Sequence, residues 1–150
     1  MDDKIIKVRV RLIIIKNNKI LLSYNNNGKY YFYIGGKLEF GETLKEACFR
    51  EIKEECNANF IFKKIIYIRD FILPEKNEHS VELFILGDID KYEEIDGIKD
   101  EEFLGENWQT WVDINKLPEI TIFPKSLTKT LLTDYSSGFS KETKYLGKTK

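Results

Sequence analysis

Apolar and basic side chains alternate through residues 6–14, and this pattern constrains the fold more than any other feature of the chain. The apolar positions recur at Ile6, Val8, Val10, Leu12 and Ile14, with Lys7, Arg9 and Arg11 between them. A period of two in β-branched residues predicts a long strand with one buried face. Asparagine-rich turns at residues 17–18 and 25–28 predict two further strands, at residues 20–22 and 30–34. The first third of the chain is therefore predicted to be sheet.

Two helices are predicted by their end signals. Thr43 and Glu46 form the reciprocal capping pattern of a helix start, which predicts a helix over residues 44–56. Asn57 is expected to end it, because asparagine tolerates the left-handed conformation of a C-cap. Ser126 is expected to cap a last helix with Leu127, Leu131, Leu132 and Tyr135 on one side.

The order of the elements predicts an α+β fold with a mixed sheet and two main helices. The later strands are expected at residues 60–71, 80–89 and 108–112, with Pro74 in the loop between the first two. No repeat or linker divides the sequence, so we expect one domain over residues 1–140. The polar residues 141–150 are expected to form a mobile tail.

Composition excludes several classes of protein. The 150 residues carry 24 Lys and Arg against 25 Asp and Glu, so no global basic field exists to bind nucleic acid or an anionic membrane surface. No apolar run exceeds Leu12 to Ile15, which predicts neither a membrane span nor a signal peptide, and we expect a cytoplasmic location. The cysteines, Cys48 and Cys56, are expected to be reduced and packed.

The predicted helix over residues 44–56 carries acidic side chains in an unfavourable place. Its apolar stripe consists of Leu44, Ala47, Cys48 and Ile52. Glu51 and Glu55 fall inside this stripe, and Glu54 lies on its flank. An uncompensated charge held against a core costs several kcal/mol, so a positive charge is expected nearby.

Two explanations of this acidic face remain open from the helix alone. Arg50 projects roughly 100° away from Glu51 around the helix axis, which favours its contact with Glu46 or Glu54 instead. A divalent cation such as Mg²⁺ fits the three carboxylates better, because hard cations prefer oxygen ligands. An ordinary solvated helix rich in Glu and Lys is equally consistent with the pattern.

The segment before the helix extends the pattern. Gly36, Glu42, Arg50, Glu51, Glu54 and Glu55 match G-x5-E-x7-R-E-U-x-E-E, in which the aliphatic position U is Ile52. Through this motif, over residues 36–58, the sequence resembles the Nudix hydrolases, the family of MutT-type nucleotide pyrophosphohydrolases. It departs from the usual family pattern at Ile34, where proline is common, at Asn57, where glycine is usual, and at Ala58, where a larger aliphatic is common.

The resemblance implies an α/β/α sandwich that hydrolyses a nucleoside diphosphate linked to another group. It implies that Glu51, Glu54, Glu55 and the Gly36 carbonyl hold Mg²⁺ or Mn²⁺. By the same resemblance, Glu42 and Arg50 brace the loop against the helix. The general base differs among family members, and the acidic loop over residues 96–107 offers Glu102 or Glu106 in this chain.

Substrate choice is the least constrained prediction. Pro74 stands sixteen residues after Ala58, a spacing that the family associates with ADP-ribose and other nucleotide sugars, although an ordinary turn also explains it. A (d)NTP is the other candidate. Arg9, Arg11 and Arg69 are candidate phosphate contacts. The candidate platforms for a base are Tyr24, Tyr31, Phe40, Tyr67 and Phe71. His79 is expected in a loop, with no catalytic role.

The expected partner is a small nucleotide, without a membrane or a large nucleic-acid surface, and the resemblance is compatible with a homodimer. Two other functions compete with hydrolysis. A catalytically silent nucleotide-binding sensor keeps the fold without turnover, and a structural domain uses the charged helix only as surface. Metal-dependent stabilisation and phosphate release distinguish these alternatives.

Overall fold

The computed structural model describes residues 4–92, 95 and 106–149. The strands of this part of the chain are β1 (Lys7–Lys16), β2 (Lys19–Asn25), β3 (Tyr30–Phe32), β4 (Ile34–Lys37), β5 (Phe60–Leu73), β6 (Glu78–Ile89), β7 (Asn107–Asp113), β8 (Ile122–Phe123) and β9 (Lys144–Lys148). The α-helices are α1 (Leu44–Cys56) and α2 (Leu127–Ser136), and short 3₁₀ turns span Pro74–Lys76 and Ile114–Glu119.

The strands form one mixed sheet with β1 at its centre. The main order is β8-β3-β2-β1-β6-β5-β9, with β4 also paired to β1 and β7 to β2. Parallel pairing joins β1 to β6, β5 to β9 and β3 to β8, and the other pairs are antiparallel. The two longest strands, β5 and β6, form a hairpin whose connection contains the 3₁₀ turn at Pro74–Lys76.

Alternation along β1 produces two cores, one on each side of the sheet. Val10, Leu12 and Ile14 pack with α1, whereas Ile13 belongs to the core beneath α2. The sheet therefore lies between two helices, and the predicted α+β fold with an α/β/α sandwich is confirmed.

The predicted ends of α1 are also confirmed. The Thr43 hydroxyl accepts a hydrogen bond from the Glu46 N–H at 3.1 Å, and Asn57 adopts a left-handed conformation with φ 51°. At α2 the prediction is wrong in one respect, because the Ser126 side chain makes no capping hydrogen bond. Ser126 has helical backbone angles, which differ from the extended angles typical of a capping residue.

The C-terminal residues differ from the predicted mobile tail. Residues 144–148 form β9, which pairs in parallel with β5 from Tyr67 to Asp70. The Lys144 ammonium donates to the buried Asp134 carboxylate at 2.7 Å, and the Tyr145 hydroxyl donates to Asp70. An available strand edge and buried polar partners order a segment whose own composition is polar.

Two smaller predictions concern burial. Cys48 and Cys56 are free and buried, as predicted. Burial raises the pKa of the Cys48 thiol to about 12, so this thiol is protonated at neutral pH. None of the helices among the described residues combines the length and hydrophobicity needed to cross a membrane.

Candidate active site

An open cleft of about 2310 Å³ collects most of the residues predicted to be functional. We call one part of its lining the acidic wall, formed by Gly36, Glu39, Arg50, Glu51, Glu54 and Glu55. We call another part the basic wall, formed by Arg9, Arg11, Arg69 and Glu82. The acidic wall comes from β4, the following loop and α1, and the basic wall comes from β1, β5 and β6.

Arg50 is the centre of the acidic wall. Its Nε and Nη2 donate to the two oxygens of Glu42, at 2.7 and 3.0 Å, and Nη2 also donates to the Lys37 carbonyl at 3.0 Å. Its Nη1 donates to Glu51 Oε1 at 2.9 Å and lies 3.4 Å from Glu54 Oε2. Hydrogen bonds to Arg50 hold the pKa of Glu42 below its usual value. The guanidinium thus ties the loop before α1 to the helix.

The sequence analysis assigned Arg50 to Glu46 or Glu54, and the structure confirms the contact with Glu54 but adds a shorter one with Glu51, which the sequence analysis disfavoured. The argument from the helix wheel followed the direction of the Cα–Cβ bond, but an arginine side chain is long enough to return to its neighbour. Glu46 instead accepts the Thr43 N–H in the capping box. The positive charge required near the buried carboxylate is therefore supplied, in this structure, by Arg50.

Glu51 lies against the backbone of Gly36. Only 8% of its surface is exposed, and a Cβ built on Gly36 would lie 2.5 Å from Glu51 Oε1. A side chain at position 36 would therefore displace the carboxylate. Burial raises the pKa of Glu51, although the hydrogen bond from Arg50 opposes this shift. The preceding Gly35 has φ 146° and faces the Val10 carbonyl, so neither position of the glycine pair accepts a larger residue without rearrangement.

The chemistry of the acidic wall fits a hard divalent cation better than a soft one. Its donors are carboxylate and carbonyl oxygens, which Mg²⁺ and Mn²⁺ prefer. Within the described ranges, no three carboxylate, imidazole or thiol groups converge to enclose a metal ion. Mg²⁺ commonly uses one or two carboxylates together with water and substrate phosphates, so a site for it does not require three converging side chains.

The basic wall is organised around one buried carboxylate. Glu82 is 4% exposed and accepts from Arg11 Nε through Oε2, at 3.1 Å, and from Arg69 Nη1 through Oε1. Arg11 also donates to the Tyr33 carbonyl at 3.3 Å, and Arg69 lies over the Phe71 ring at 4.7 Å. Two arginines against one glutamate leave this part of the cleft with excess positive charge.

Arg9 lies beside this trio and has other partners. Its Nε donates to the Ser80 hydroxyl at 3.2 Å, and its Nη2 lies 3.5 Å from Glu78. The three candidate phosphate contacts, Arg9, Arg11 and Arg69, therefore all line the cleft. The structure brings them together from β1 and β5.

A third part of the cleft is aromatic and amide-rich. Tyr30, Phe32, Phe123, Asn25 and Asn107 line it. The Asn25 amide donates to Asn107 Oδ1 at 2.7 Å, from β2 to the neighbouring β7. Such rings offer flat apolar surface, and the amides offer donors and acceptors.

Some predicted site residues lie elsewhere. Tyr31 is not among the described residues that line the cleft, because its ring packs against Tyr24 at 4.7 Å. Alternation along β3 instead turns Tyr30 and Phe32 towards the cleft. Pro74 also lies outside the lining and begins the 3₁₀ turn between β5 and β6.

The remaining predicted residues are the candidate general bases and the other aromatic platforms. Glu102 lies outside the described residues, and Glu106 is exposed with its carbonyl accepting the Asn26 N–H at 2.8 Å. Of the other proposed platforms, Phe40 and Phe71 line the cleft, whereas Tyr67 donates to buried Asp134 at 2.6 Å. The identity of the general base therefore stays a prediction.

Two further positions differ from expectation. His79 lies in β6 opposite Ile72, whereas the sequence analysis placed it in a loop. Glu82 was missed entirely. A sequence signal for it exists, because it is a single acidic residue inside the apolar run from Val81 to Leu86.

The fold and cleft define an α+β domain with an acidic helix and an arginine cluster around one opening. A family model described as the NUDIX domain matches residues 6–131. The chain therefore belongs to the Nudix hydrolase family.

Relatives with known names agree with this assignment. An ADP-ribose pyrophosphatase of Methanocaldococcus jannaschii is 29% identical over 127 residues, covering 81% of this chain and 70% of the relative. The crystal structure of a Streptococcus suis ADP-ribose pyrophosphatase has a TM-score of 0.63 and 19% identity, and the match covers 95% of this chain and 98% of that one. A MutT NUDIX hydrolase from Burkholderia pseudomallei has a TM-score of 0.67 and 19% identity, with 83% and 95% covered. These structural matches support the fold.

Proposed function

We propose that this protein uses Mg²⁺ or Mn²⁺ to hydrolyse the pyrophosphate bond of a nucleoside diphosphate linked to another group. The observation that carries the proposal is the pairing of an acidic and a basic wall in one cleft. A diphosphate needs cationic contacts, whereas its metal ion needs oxygen anions. A single cleft lined by both arginines and carboxylates therefore suits a diphosphate together with its metal ion.

The acidic wall supports a division of roles among its residues. Glu51, Glu54, Glu55 and the Gly36 carbonyl would hold the ion, which would neutralise the diphosphate and make an attacking water more acidic. Arg50 and Glu42 would hold the loop before α1 against the helix through their bidentate contact at 2.7 and 3.0 Å. A glutamate of α1, Glu102 or Glu106 would accept the proton of the attacking water.

The basic wall supports recognition of phosphate. Arginine binds phosphate through several N–H groups in a fixed plane, and Arg9 and Arg69 both line the cleft. The rings of Tyr30, Phe32 and Phe123 would receive the nucleoside.

Among substrates, we favour ADP-ribose or a related nucleotide sugar over a (d)NTP. The named relative from Methanocaldococcus jannaschii supports this choice. Pro74 has the spacing associated with this class, although it lies outside the cleft lining. Its neighbours Leu73 and Lys76 do line the cleft, so the turn would act on substrate through them.

A substrate panel tests the proposal. The purified protein is incubated with MgCl₂ or MnCl₂ and with ADP-ribose, nucleotide sugars, oxidised and normal dNTPs or dinucleoside polyphosphates, and the products are separated. We expect AMP and ribose 5-phosphate from ADP-ribose, with loss of turnover in EDTA. Nucleotide binding without turnover of any compound would instead favour the sensor function.

A second test removes one charge from the acidic wall. In Glu55→Gln, turnover is expected to fall about a hundredfold or more at fixed Mg²⁺, because an oxygen anion near the reacting phosphate is lost. The fold is expected to remain intact, since one of several mutually repelling charges leaves. Glu46→Gln is the matched control on the same helix, because glutamine also completes a capping box. Equal turnover in Glu55→Gln and the control would contradict the assigned role.

A further inference from the structure

Arg69 is held in the cleft by the C-terminal segment as well as by the sheet. Arg69 lines the cleft, but only 4% of the surface of the residue is exposed. Nη1 donates to Glu82, whereas Nε donates to the Thr149 hydroxyl at 2.8 Å and Nη2 to the Thr149 carbonyl at 2.9 Å. Thr149 follows directly after β9 and is 80 residues from Arg69 in the sequence.

The segment that carries Thr149 is fixed to the body of the protein at several points. β9 pairs with β5 at Arg69 and Asp70. The Thr143 hydroxyl donates to the Ile65 carbonyl at 2.6 Å, just before β9. Lys144 donates to Asp134 at 2.7 and 3.0 Å. Thr149 is therefore presented to Arg69 by a strand with its own anchors.

These contacts determine which guanidinium donors remain for a ligand. Arginine has five N–H donors in a plane, and three of them are used by Glu82 and Thr149 among the described residues. Without Thr149, Nε and Nη2 would lose their protein acceptors, and the guanidinium could turn to meet Glu82 with two donors. Thr149 thus opposes an arrangement in which Arg69 contacts only the carboxylate.

We infer that Thr149 is a positioning residue that holds the Arg69 guanidinium in the orientation that binds a substrate phosphate. The C-terminal segment from Lys144 to Thr149 is then part of the phosphate site, although only Arg69 touches the ligand. A preorganised arginine binds more tightly because the guanidinium is ordered before the ligand arrives. The inference rests on the proposed function for the identity of the ligand as a diphosphate.

A threonine pair in the same segment gives a matched experiment. Thr149→Val removes the hydroxyl that meets Arg69 and preserves the volume, whereas Thr143→Val removes a hydroxyl that anchors the segment without touching Arg69. The affinity of each full-length variant for ADP is measured by calorimetry in EDTA, so that the readout requires neither metal nor turnover. We expect Thr149→Val to weaken ADP binding about three- to tenfold, the range of one hydrogen bond. Thr149→Ser is expected to restore it, and Thr143→Val to change it less than about twofold.

Kinetics and a double variant separate positioning from stability. With a substrate that is turned over, Thr149→Val is expected to raise KM by a similar factor while kcat changes less than about twofold. In an Arg69→Lys background, Thr149→Val is expected to weaken ADP binding by less than about a further twofold, because Thr149 acts through the guanidinium. Equal ADP affinity in the wild type and Thr149→Val, with the valine variant folded, would overturn the inference. Failure of the wild type to hydrolyse any nucleotide would overturn the proposed function and leave the ADP result to be judged separately.

Discussion

The two walls of the cleft have opposite charge arrangements. In the acidic wall one arginine, Arg50, lies within 4 Å of four carboxylates, those of Glu39, Glu42, Glu51 and Glu54. In the basic wall one carboxylate, Glu82, is shared by two arginines. In each wall the residue of the minority sign holds together neighbours that would otherwise repel each other.

The walls differ in burial, and this difference indicates which one can rearrange. The side chains of Arg69 and Glu82 are each 5% exposed, and that of Arg11 is 20% exposed. In the acidic wall Glu51 is 10%, Arg50 23% and Glu54 57% exposed. Exchanging ionic partners is easier near water, where a departing charge is solvated at once. The exposed Glu54 side of the acidic wall is therefore better suited to exchange an ionic partner than the buried pair of Arg69 and Glu82.

The largest expected effect comes from removing the minority charge of the basic wall. Glu82→Gln leaves buried Arg69 and half-buried Arg11 without their carboxylate, and breaking a buried pair costs about 3–5 kcal/mol. Urea unfolding at pH 7 measures the loss. Glu75→Gln, in the exposed turn between β5 and β6, is the control and is expected to change stability by less than about 0.5 kcal/mol. Equal stabilities for these two variants would mean that the basic wall does not depend on Glu82.

A smaller effect is expected from the equivalent change in the acidic wall. Arg50→Met keeps much of the apolar stem but removes the charge from beside Glu42 and Glu51, and it is expected to cost about 1.5–3 kcal/mol. Arg50→Lys is expected to lie between the wild type and the methionine variant, since lysine restores the charge without the bidentate geometry. Thermal unfolding with and without MgCl₂ sharpens the comparison. Mg²⁺ is expected to raise the Tm of Arg50→Met more than that of the wild type, and the reverse order would contradict an exchangeable counterion.

The smallest effect concerns Glu78, a half-buried carboxylate of β6 that pairs with Lys7 and with Arg9 of the basic wall. Hydrogen bonds from Ser80 and Lys7 lower its pKa below the ordinary value of 4.5. A lowered pKa stabilises the fold above the ordinary value, and this stabilisation is lost as the pH falls through the lowered pKa. Glu78→Gln is therefore expected to cost about 0.5–1 kcal/mol at pH 7 and progressively less below pH 4.5. Urea unfolding at several pH values checks this, and a difference that stays constant with pH would show that charge is not its cause.

The sequence predicted the parts of the fold that local patterns specify. The alternation around Val10 and Leu12 gave the central strand, and the capping box at Thr43 with Asn57 gave α1. Burial of Glu51 followed from its place in the apolar stripe of that helix. The spacing of the acidic motif led to the family because it depends on one helix and one adjoining loop.

Contacts between distant segments could not be predicted in the same way. Glu82 and Arg69 meet because β5 and β6 pair in a particular register, and Thr149 meets Arg69 because β9 joins that sheet. The polar composition of residues 141–150 suggested mobility, since the edge of β5 that orders them is not visible in their own sequence. Tyr31 was placed in the site because the alternation along β3 could not be oriented without its neighbours.

The sequence by itself determined the two helices, most of the strands and the acidic face of a helix preceded by two glycines, but it predicted one buried face for β1, and the structure buries residues on both. Only the tertiary structure decided that Arg50 is the cation beside Glu51, and that the three arginines and one glutamate of the basic wall line the same cleft as the acidic wall. Backbone periodicity and capping act over a few residues and are therefore encoded locally. The pairing of charges depends on which strands become neighbours and on where long side chains end, and both are settled only when the whole chain packs.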